Sequence, residues 1–403
     1  QLPGGGVPAY LGGCLWLHLA QSVARSSVKG SRARNSSCAV DIGPPKPVSG
    51  SGVTVATFCH FFASELAACN GDERALRCLV GAVCDASQPA FVNAQDLLPL
   101  ASAMVHSHPS LGFLVDDQVY RQHYEHTVVQ RILYVLDPLR TGRVSLTMLR
   151  RQGASLWRAL WRLSPGGDAA SDVNLERSFF SYEHFYVIYC KFWELDTDHD
   201  FLIDKEDLLR YGNHALTYRA VDRVFSQAPR RFVSGVDGKM GYEDFCWFVL
   251  SEEDKGNPLA LEYWMRCVDL DGDGILSPSE CSFFYEEQLQ RMECLSQEPV
   301  LFEDILCQMS DMLHPEVPGR ITLRDLRRCK LAGNFFNVLF NLNKFIAFET
   351  RDPFLIRQER EEPHLTEWDR FARQEDIRLS MEEEEGMQFS NSDDDDDDDG
   401  GGE

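Results

Sequence analysis

No two of the 13 cysteines in this 403-residue chain stand at C-x-x-C spacing. An odd, scattered set supplies neither a disulfide framework nor a structural zinc site, so free thiols in a reducing, intracellular compartment are expected. Basic charge is also scarce: 39 lysines and arginines face 63 acids, a formal net charge of −24. Half of that surplus falls in residues 381–403, which hold twelve acids and nothing basic, and the rest of the chain is still acidic. A nucleic-acid binder needs a surface of the opposite sign, which argues against that class. Long apolar runs are missing too. The nearest, Val7–Ala20, is broken by Gly12, Gly13 and His18 and is too short to span a bilayer, so no membrane partner is expected. It resembles the apolar core of a signal peptide, with Ser22-Val23-Ala24 as a cleavage-site mimic, but no basic segment precedes it. The chain opens on Gln1, so a natural start upstream is expected. Catalytic motifs are absent as well: there is no phosphate loop, no G-x-S-x-G elbow, no H-E-x-x-H and no G-x-G-x-x-G after a strand. His123 and His126 lie three apart and read as helix surface, because no further ligands stand nearby. A binding protein fits better than an enzyme.

With 44% hydrophobic and 25% charged residues the chain can bury a sizeable core. Residues 1–50, rich in Gly, Ser, Pro and Arg, read as a flexible lead-in. From about residue 53 to 345 one local pattern returns at uneven intervals of 36 to 59 residues. A turn residue is followed two places on by an aliphatic, then by a polar residue and an amphipathic helix. The instances are Val53-Thr54, Val92-Asn93, Val144-Ser145, Ile203-Asp204, Met240-Gly241, Leu276-Ser277 and Ile321-Thr322. This is the second half of an EF-hand loop, in which position six turns, position eight pairs with a sister loop and position nine starts a helix. Between the loops the spacing is helical: Phe185, Ile188, Tyr189, Phe192 and Leu195 share one face, as Tyr263, Trp264 and Cys267 do more briefly. The fold expected is all-α, an elongated array of EF-hand and degenerate EF-hand-like helix–loop–helix units, with short two-stranded ribbons between paired loops as its only sheet. Domain bounds are expected at 51–175 (degenerate N-terminal units), 176–345 (the ligand-bearing EF-hands), 346–380 (a C-terminal helical segment) and 381–403 (a disordered acidic tail).

Two loops carry ligands. The first, 269–280, fills D-x-D-x-D-G-x5-E at every position. Calcium takes about seven oxygens at roughly 2.3–2.6 Å, which the alternating Asp269, Asp271 and Asp273, the Ile275 carbonyl, Ser277 and a bidentate Glu280 supply. Gly274 provides the positive-φ turn. The second, 196–207, offers Asp196, Asp198, Asp200, the Leu202 carbonyl, Asp204 and Asp207. It departs twice. Phe201 stands where glycine belongs, at a cost of about 1–2 kcal/mol. Asp207 is one methylene shorter than glutamate, which weakens calcium or favours six-coordinate magnesium. The other five repeats are expected to lack carboxylates and to serve as scaffold, as in the loops opening Asp137-Pro138 and His314-Pro315.

Several strings resemble the B″ regulatory subunits of protein phosphatase 2A. They include the run from Phe179 to Leu195 into the Asp196 loop, Ser251-Glu252-Glu253-Asp254-Lys255, and the Asp269 loop followed by Phe284-Tyr285-Glu286-Glu287-Gln288. Leu306-Cys307-Gln308-Met309 and the run from Ile321 to Cys329 continue the likeness, which extends over about residues 90–375. The resemblance implies a non-catalytic protein that docks on the helical-repeat scaffold subunit of a heterotrimeric serine/threonine phosphatase. Such a protein touches the catalytic subunit, selects phosphoprotein substrates and binds Ca2+ at both loops, with a bulky residue usual at the place of Phe201. It also implies that calcium modulates assembly and activity; on a mechanical reading, the aromatic helices before Asp196 and after Asp269 are expected to form docking surfaces whose angle depends on ion occupancy. Residues 1–50 and the Asp393–Asp399 run have no counterpart there. Nuclear and cytoplasmic residence are both compatible with the sequence. Ser390 and Ser392 suit an acidophilic kinase, although a plain solubilising tail is the simpler reading. The competing class is a freestanding calcium sensor for amphipathic peptides, which would want more intact loops and more than these nine methionines.

Overall fold

The computed structural model describes residues 91–163, 167–295, 299–350, 357 and 362–392. The lead-in, Val7–Ala20, the repeat at Val53-Thr54 and the Asp393–Asp399 run lie outside the described residues. The chain divides into two compact units, residues 1–182 and 183–403.

In the first unit strand β1 (Phe91–Asn93) runs into helix α1 (Ala94–Ser107), and helix α2 (Gln118–Leu136) leads through a loop to strand β2 (Arg143–Ser145) and helix α3 (Leu146–Arg162). The strands pair antiparallel, with Val92 opposite Val144. Asn93 ends the strand and caps α1 in a reciprocal box with Asp96, and Ser145 caps α3. Leu97, Leu100 and Met104 of α1, at helical spacing, are buried with Val128 and Ile132 of α2.

The second unit repeats the plan twice. Helix α4 (Tyr182–Leu195) leads to strand β3 (Leu202–Ile203) and helix α5 (Lys205–Leu209); helix α6 (Tyr218–Phe225) leads to strand β4 (Met240–Gly241) and helix α7 (Tyr242–Glu253). Helix α8 (Pro258–Val268) leads to strand β5 (Ile275–Leu276) and helix α9 (Pro278–Cys294); helix α10 (Phe302–Leu313) leads to strand β6 (Ile321–Thr322) and helix α11 (Leu323–Arg328). Ile203 pairs with Met240 and Leu276 with Ile321. The expected partnership of position-eight aliphatics therefore holds in all three described pairs, and these ribbons are the only sheets among the described residues. The all-α reading with short ribbons is the observed fold.

Packing is aromatic. Phe185, Ile188, Phe192 and Leu195 of α4 are buried as one face, while Tyr189 is half-buried. Phe192 packs edge-on to Phe245 at 5.5 Å, and Trp264 lies 4.5 Å from Phe340 in helix α12 (Ala332–Phe340). Helix α13 (Leu342–Thr350) follows, and then a long helix α14 (Glu367–Ser392). The segment from 381, read from sequence as a disordered tail, continues this helix as far as Ser392. Its contacts with α4 reach as far as Glu383. Trp368 donates its indole N–H to His184 at 3.1 Å, Lys191 pairs with Glu375 at 2.7 Å, Arg378 bridges Glu194, Glu375 and Glu382, and Tyr186 reaches Glu383.

Candidate metal centre

Each acidic loop starts where a helix runs out of apolar residues. Asp196 follows Leu195 of α4 and Asp269 follows Val268 of α8, and both carboxylates are nearly or fully buried. The first aspartate folds the loop around itself. Asp269 accepts the N–H of Gly272 at 2.7 Å and of Gly274 at 2.9 Å; Asp196 accepts those of Asp200 at 3.2 Å and Phe201 at 2.9 Å. The fifth position closes a second turn in both, with Asp273 on Ile275 N–H and Asp200 on Leu202 N–H, each at 2.8 Å. These contacts hold the carboxylates facing one another across the loop. In each loop the triad of Asp196, Asp198 and Asp200 or of Asp269, Asp271 and Asp273 brings one oxygen per residue within 4.8 Å of the others. Oxygens on one calcium ion can lie at most about 5 Å apart, twice the metal–oxygen distance, so both triads fit the ion.

The remaining expected ligands lie on the exit side. Ile275 and Leu202 sit in the ribbons, and Ser277 and Asp204 are the N-caps of α9 and α5. Position twelve doubles as the third helical residue and completes a capping box. Glu280 thus accepts Ser277 N–H and the Ser277 hydroxyl at 2.8 Å, and reaches back across the loop to Leu270 N–H at 2.7 Å. Burial raises its pKa, but these donors outweigh that and hold it below the ordinary glutamate range. Asp207, the shorter counterpart, takes Asp204 N–H at 2.9 Å and the Arg210 guanidinium at 2.7 Å. Glu280 spans its loop; Asp207 stays within its own capping box and the Arg210 pair.

Strain falls where the sequence placed it and at one further position. Phe201 has φ +59°, matching Gly274 at +79°, and His199 has φ +57°, matching Gly272 at +76°. Two non-glycine residues in the left-handed region are held by aromatic stacking: His199 lies 4.3 Å from Trp193, and Phe201 lies 5.7 Å from Trp193 and 6.2 Å from Phe192. The Trp193 platform was not read from sequence, although its spacing of six and eight residues from the two was available.

The scaffold loops require a correction. They were expected to lack carboxylates, yet Asp137, Asp244 and Asp325 are buried at their first or twelfth positions. Asp137 accepts Gly142 N–H at 2.7 Å, Asp244 accepts Val233 and Ser234 N–H and pairs with Arg230, and Asp325 accepts Thr322 and Glu316 N–H. Each acid stitches its loop from inside in place of a cation. Neither acidic loop pairs with the other; each pairs with one of these stitched loops.

Residues 77–159 match an EF-hand domain model and residues 185–285 an EF-hand domain pair model, the second spanning both acidic loops. The chain is 57% identical over 294 residues to a probable B''delta regulatory subunit of serine/threonine protein phosphatase 2A from Arabidopsis thaliana, covering 73% of this chain and 54% of that one. It is 44% identical over 312 residues to the B'' alpha regulatory subunit of the same phosphatase from Homo sapiens, covering 76% of this chain and 27% of that one. It therefore spans about half the length of the plant relative and less of the human one. A chain from a solved PP2A PR70 holoenzyme, designated diCa, superposes with a TM-score of 0.61 at 44% identity, covering 67% of this chain and 97% of that one.

Proposed function

Since this chain belongs to the B″ family of protein phosphatase 2A regulatory subunits, we propose that it works as a calcium-binding, non-catalytic subunit of that phosphatase. In this reading it docks on the scaffold and catalytic subunits and directs which phosphoproteins are dephosphorylated. The observation that carries the calcium half is loop 269–280, where three carboxylates converge and Glu280 spans the loop to Leu270. Loop 196–207 is the second, weaker site, because Asp207 is short and already paired. Calcium supplies a charge that replaces mutual repulsion of the acids with attraction. The chain's own part is to position them: the first aspartate of each loop fixes the turn, and the capping box holds position twelve at the helix start. Intracellular residence agrees with the free thiols, and among the described residues no helix is long and apolar enough to cross a membrane.

Two measurements test this. Affinity capture of the full chain from cell extract is expected to bring down scaffold and catalytic subunits in stoichiometric amounts; recovery of the chain alone would refute the subunit reading. Calcium titration calorimetry is expected to show two sites, with Glu280→Gln weakening the tighter by on the order of a hundredfold through loss of a bidentate ligand. An unchanged tight site would refute the assignment to 269–280.

A further inference from the structure

The two acidic loops differ in what already holds their carboxylates. In 269–280 the described partners of Asp269, Asp271, Asp273 and Glu280 are N–H groups and the Ser277 hydroxyl. In 196–207 two ligand residues are held by basic side chains, Asp207 by Arg210 and Asp200 by Lys239. Arg210 is a neighbour on the same helix end, three residues on. Lys239 is not: it comes from the paired loop, 39 residues away in sequence. The register that sets Met240 opposite Ile203 leaves Lys239 one residue beyond the ribbon, and its ammonium lies 2.5 Å from Asp200 Oδ2. Asp200 Oδ1 is taken by Leu202 N–H. Lys239 therefore sits on the Asp200 oxygen that receives no N–H from the loop itself among the described residues.

The other ribbon provides an internal comparison. Arg320 holds the matching place in the loop paired with 269–280, with Ile321 opposite Leu276. It is exposed and makes no ion pair with that loop's acids among the described residues. A basic residue beside the ribbon is thus not enough; only in 196–207 does one sit on a ligand carboxylate.

The geometry points to Lys239 as a built-in counter-cation that competes with calcium for Asp200 and so sets the affinity of loop 196–207. Two effects act in the same direction. The ammonium stabilises the ion-free loop by neutralising one of its acids, and it repels a divalent ion that needs the same oxygen. Calcium must displace it before Asp200 can bind. This inference rests on the calcium reading of that loop, and the experiment separates the two.

The full-length chain carrying Asp271→Ala, Asp273→Ala and Glu280→Gln together, which removes three ligands and silences 269–280, is titrated with calcium by calorimetry, alone and with Lys239→Met, Lys239→Arg or Arg320→Met added. Lys239→Met keeps the apolar stem and is expected to lower the Kd of loop 196–207 by on the order of fivefold. Lys239→Arg and Arg320→Met are expected to leave it within about twofold, since each keeps the cation on Asp200. Binding that appears only once Lys239 is removed supports the same conclusion. Calcium binding with a Kd unchanged or raised by Lys239→Met overturns the role of Lys239 while leaving the site standing. No binding in any of these proteins at millimolar calcium overturns the site and the inference together.

Discussion

Glu252 is a fully buried acid at the centre of the second unit's polar contacts, and its replacement by glutamine should be costly. Its carboxylate is fully buried, and one oxygen serves three donors: Lys255, Asn341 at 2.7 Å and Lys344 at 3.2 Å. Lys255 is itself 2% exposed and lies over the rings of Trp264 and Phe340. Glutamine keeps an oxygen for the donors but removes the carboxylate bonded to Lys255, leaving a buried ammonium without its counter-charge. Breaking a buried pair in this way costs about 3–5 kcal/mol. For a unit of this size that lowers Tm by roughly 8–15 °C. Lys255→Met is the milder change, because Glu252 keeps Lys344 and Asn341; about 1–2 kcal/mol is expected. The double variant should then be more stable than Glu252→Gln alone, since the buried ammonium is gone. Burial pushes the Lys255 ammonium down to about 8 against the opposing pull of Glu252, so the penalty of Glu252→Gln should shrink between pH 7 and 9 as the lysine loses its proton. Chemical denaturation of the four proteins in a double-mutant cycle measures all of this. Equal, additive losses from the two single variants, unaffected by pH, would refute the reasoning.

Two further predictions rest on local geometry. Phe201→Ala keeps the left-handed backbone and loses the stacking on Phe192 and Trp193, whereas Phe201→Gly loses the stacking but relieves the strain; urea unfolding should find the glycine variant more stable by about 1 kcal/mol, and the reverse order would show that no strain is stored there. Burial first, and the Glu367 carboxylate second, push Asp254 up to about 7. A carboxyl whose folded pKa is raised stabilises below its unfolded value near 4 and loses that contribution as pH rises through 7, by on the order of 2–4 kcal/mol. Asp254→Asn should therefore flatten the decline of Tm between pH 4.5 and 8 and stabilise the protein at pH 8; an unaltered slope would assign the decline elsewhere.

What could be read from the sequence was whatever local chemistry decides. Position eight of each described repeat is apolar because the ribbon buries it, and position nine, Gly241 apart, is a side-chain cap because a helix starts there; both signals sit within four residues of one another. The triads were legible for the same reason, since alternate residues of a tight loop converge. The features missed depend on distant partners. Lys239 meets Asp200 only because β3 and β4 pair, and the acids stitched into the scaffold loops, Asp244 and Asp325, look like stray charges until the N–H groups they collect are seen. The extent of α14 was hidden too. A run of four glutamates reads as a solvated tail, and nothing local shows that Arg378, Lys191 and Tyr186 hold its start against α4.

The pairing of each acidic loop with a stitched one bears on how two ions would act. In an EF-hand pair with two sites, the ribbon joins them directly, and filling one loop orders the other. Here each ribbon joins an acidic loop to one that is already ordered by its own buried aspartate, so an ion would tighten its loop against a fixed strut. The shortest chain path from one acidic loop to the other then runs through β4, α7 and the turn into α8. That turn is where Ser251 accepts the Trp264 indole N–H, Glu252 holds both lysines, and Asn257 caps α8. This polar cluster, with Glu252 and Lys255 buried and Lys344 and Asn257 half-buried, is the contact set through which any shift of α7 would reach α8. If the two loops are coupled, Glu252→Gln should change the calcium response of one loop when the other is silenced, and titration of both single-loop variants with and without it would show no change if they are independent.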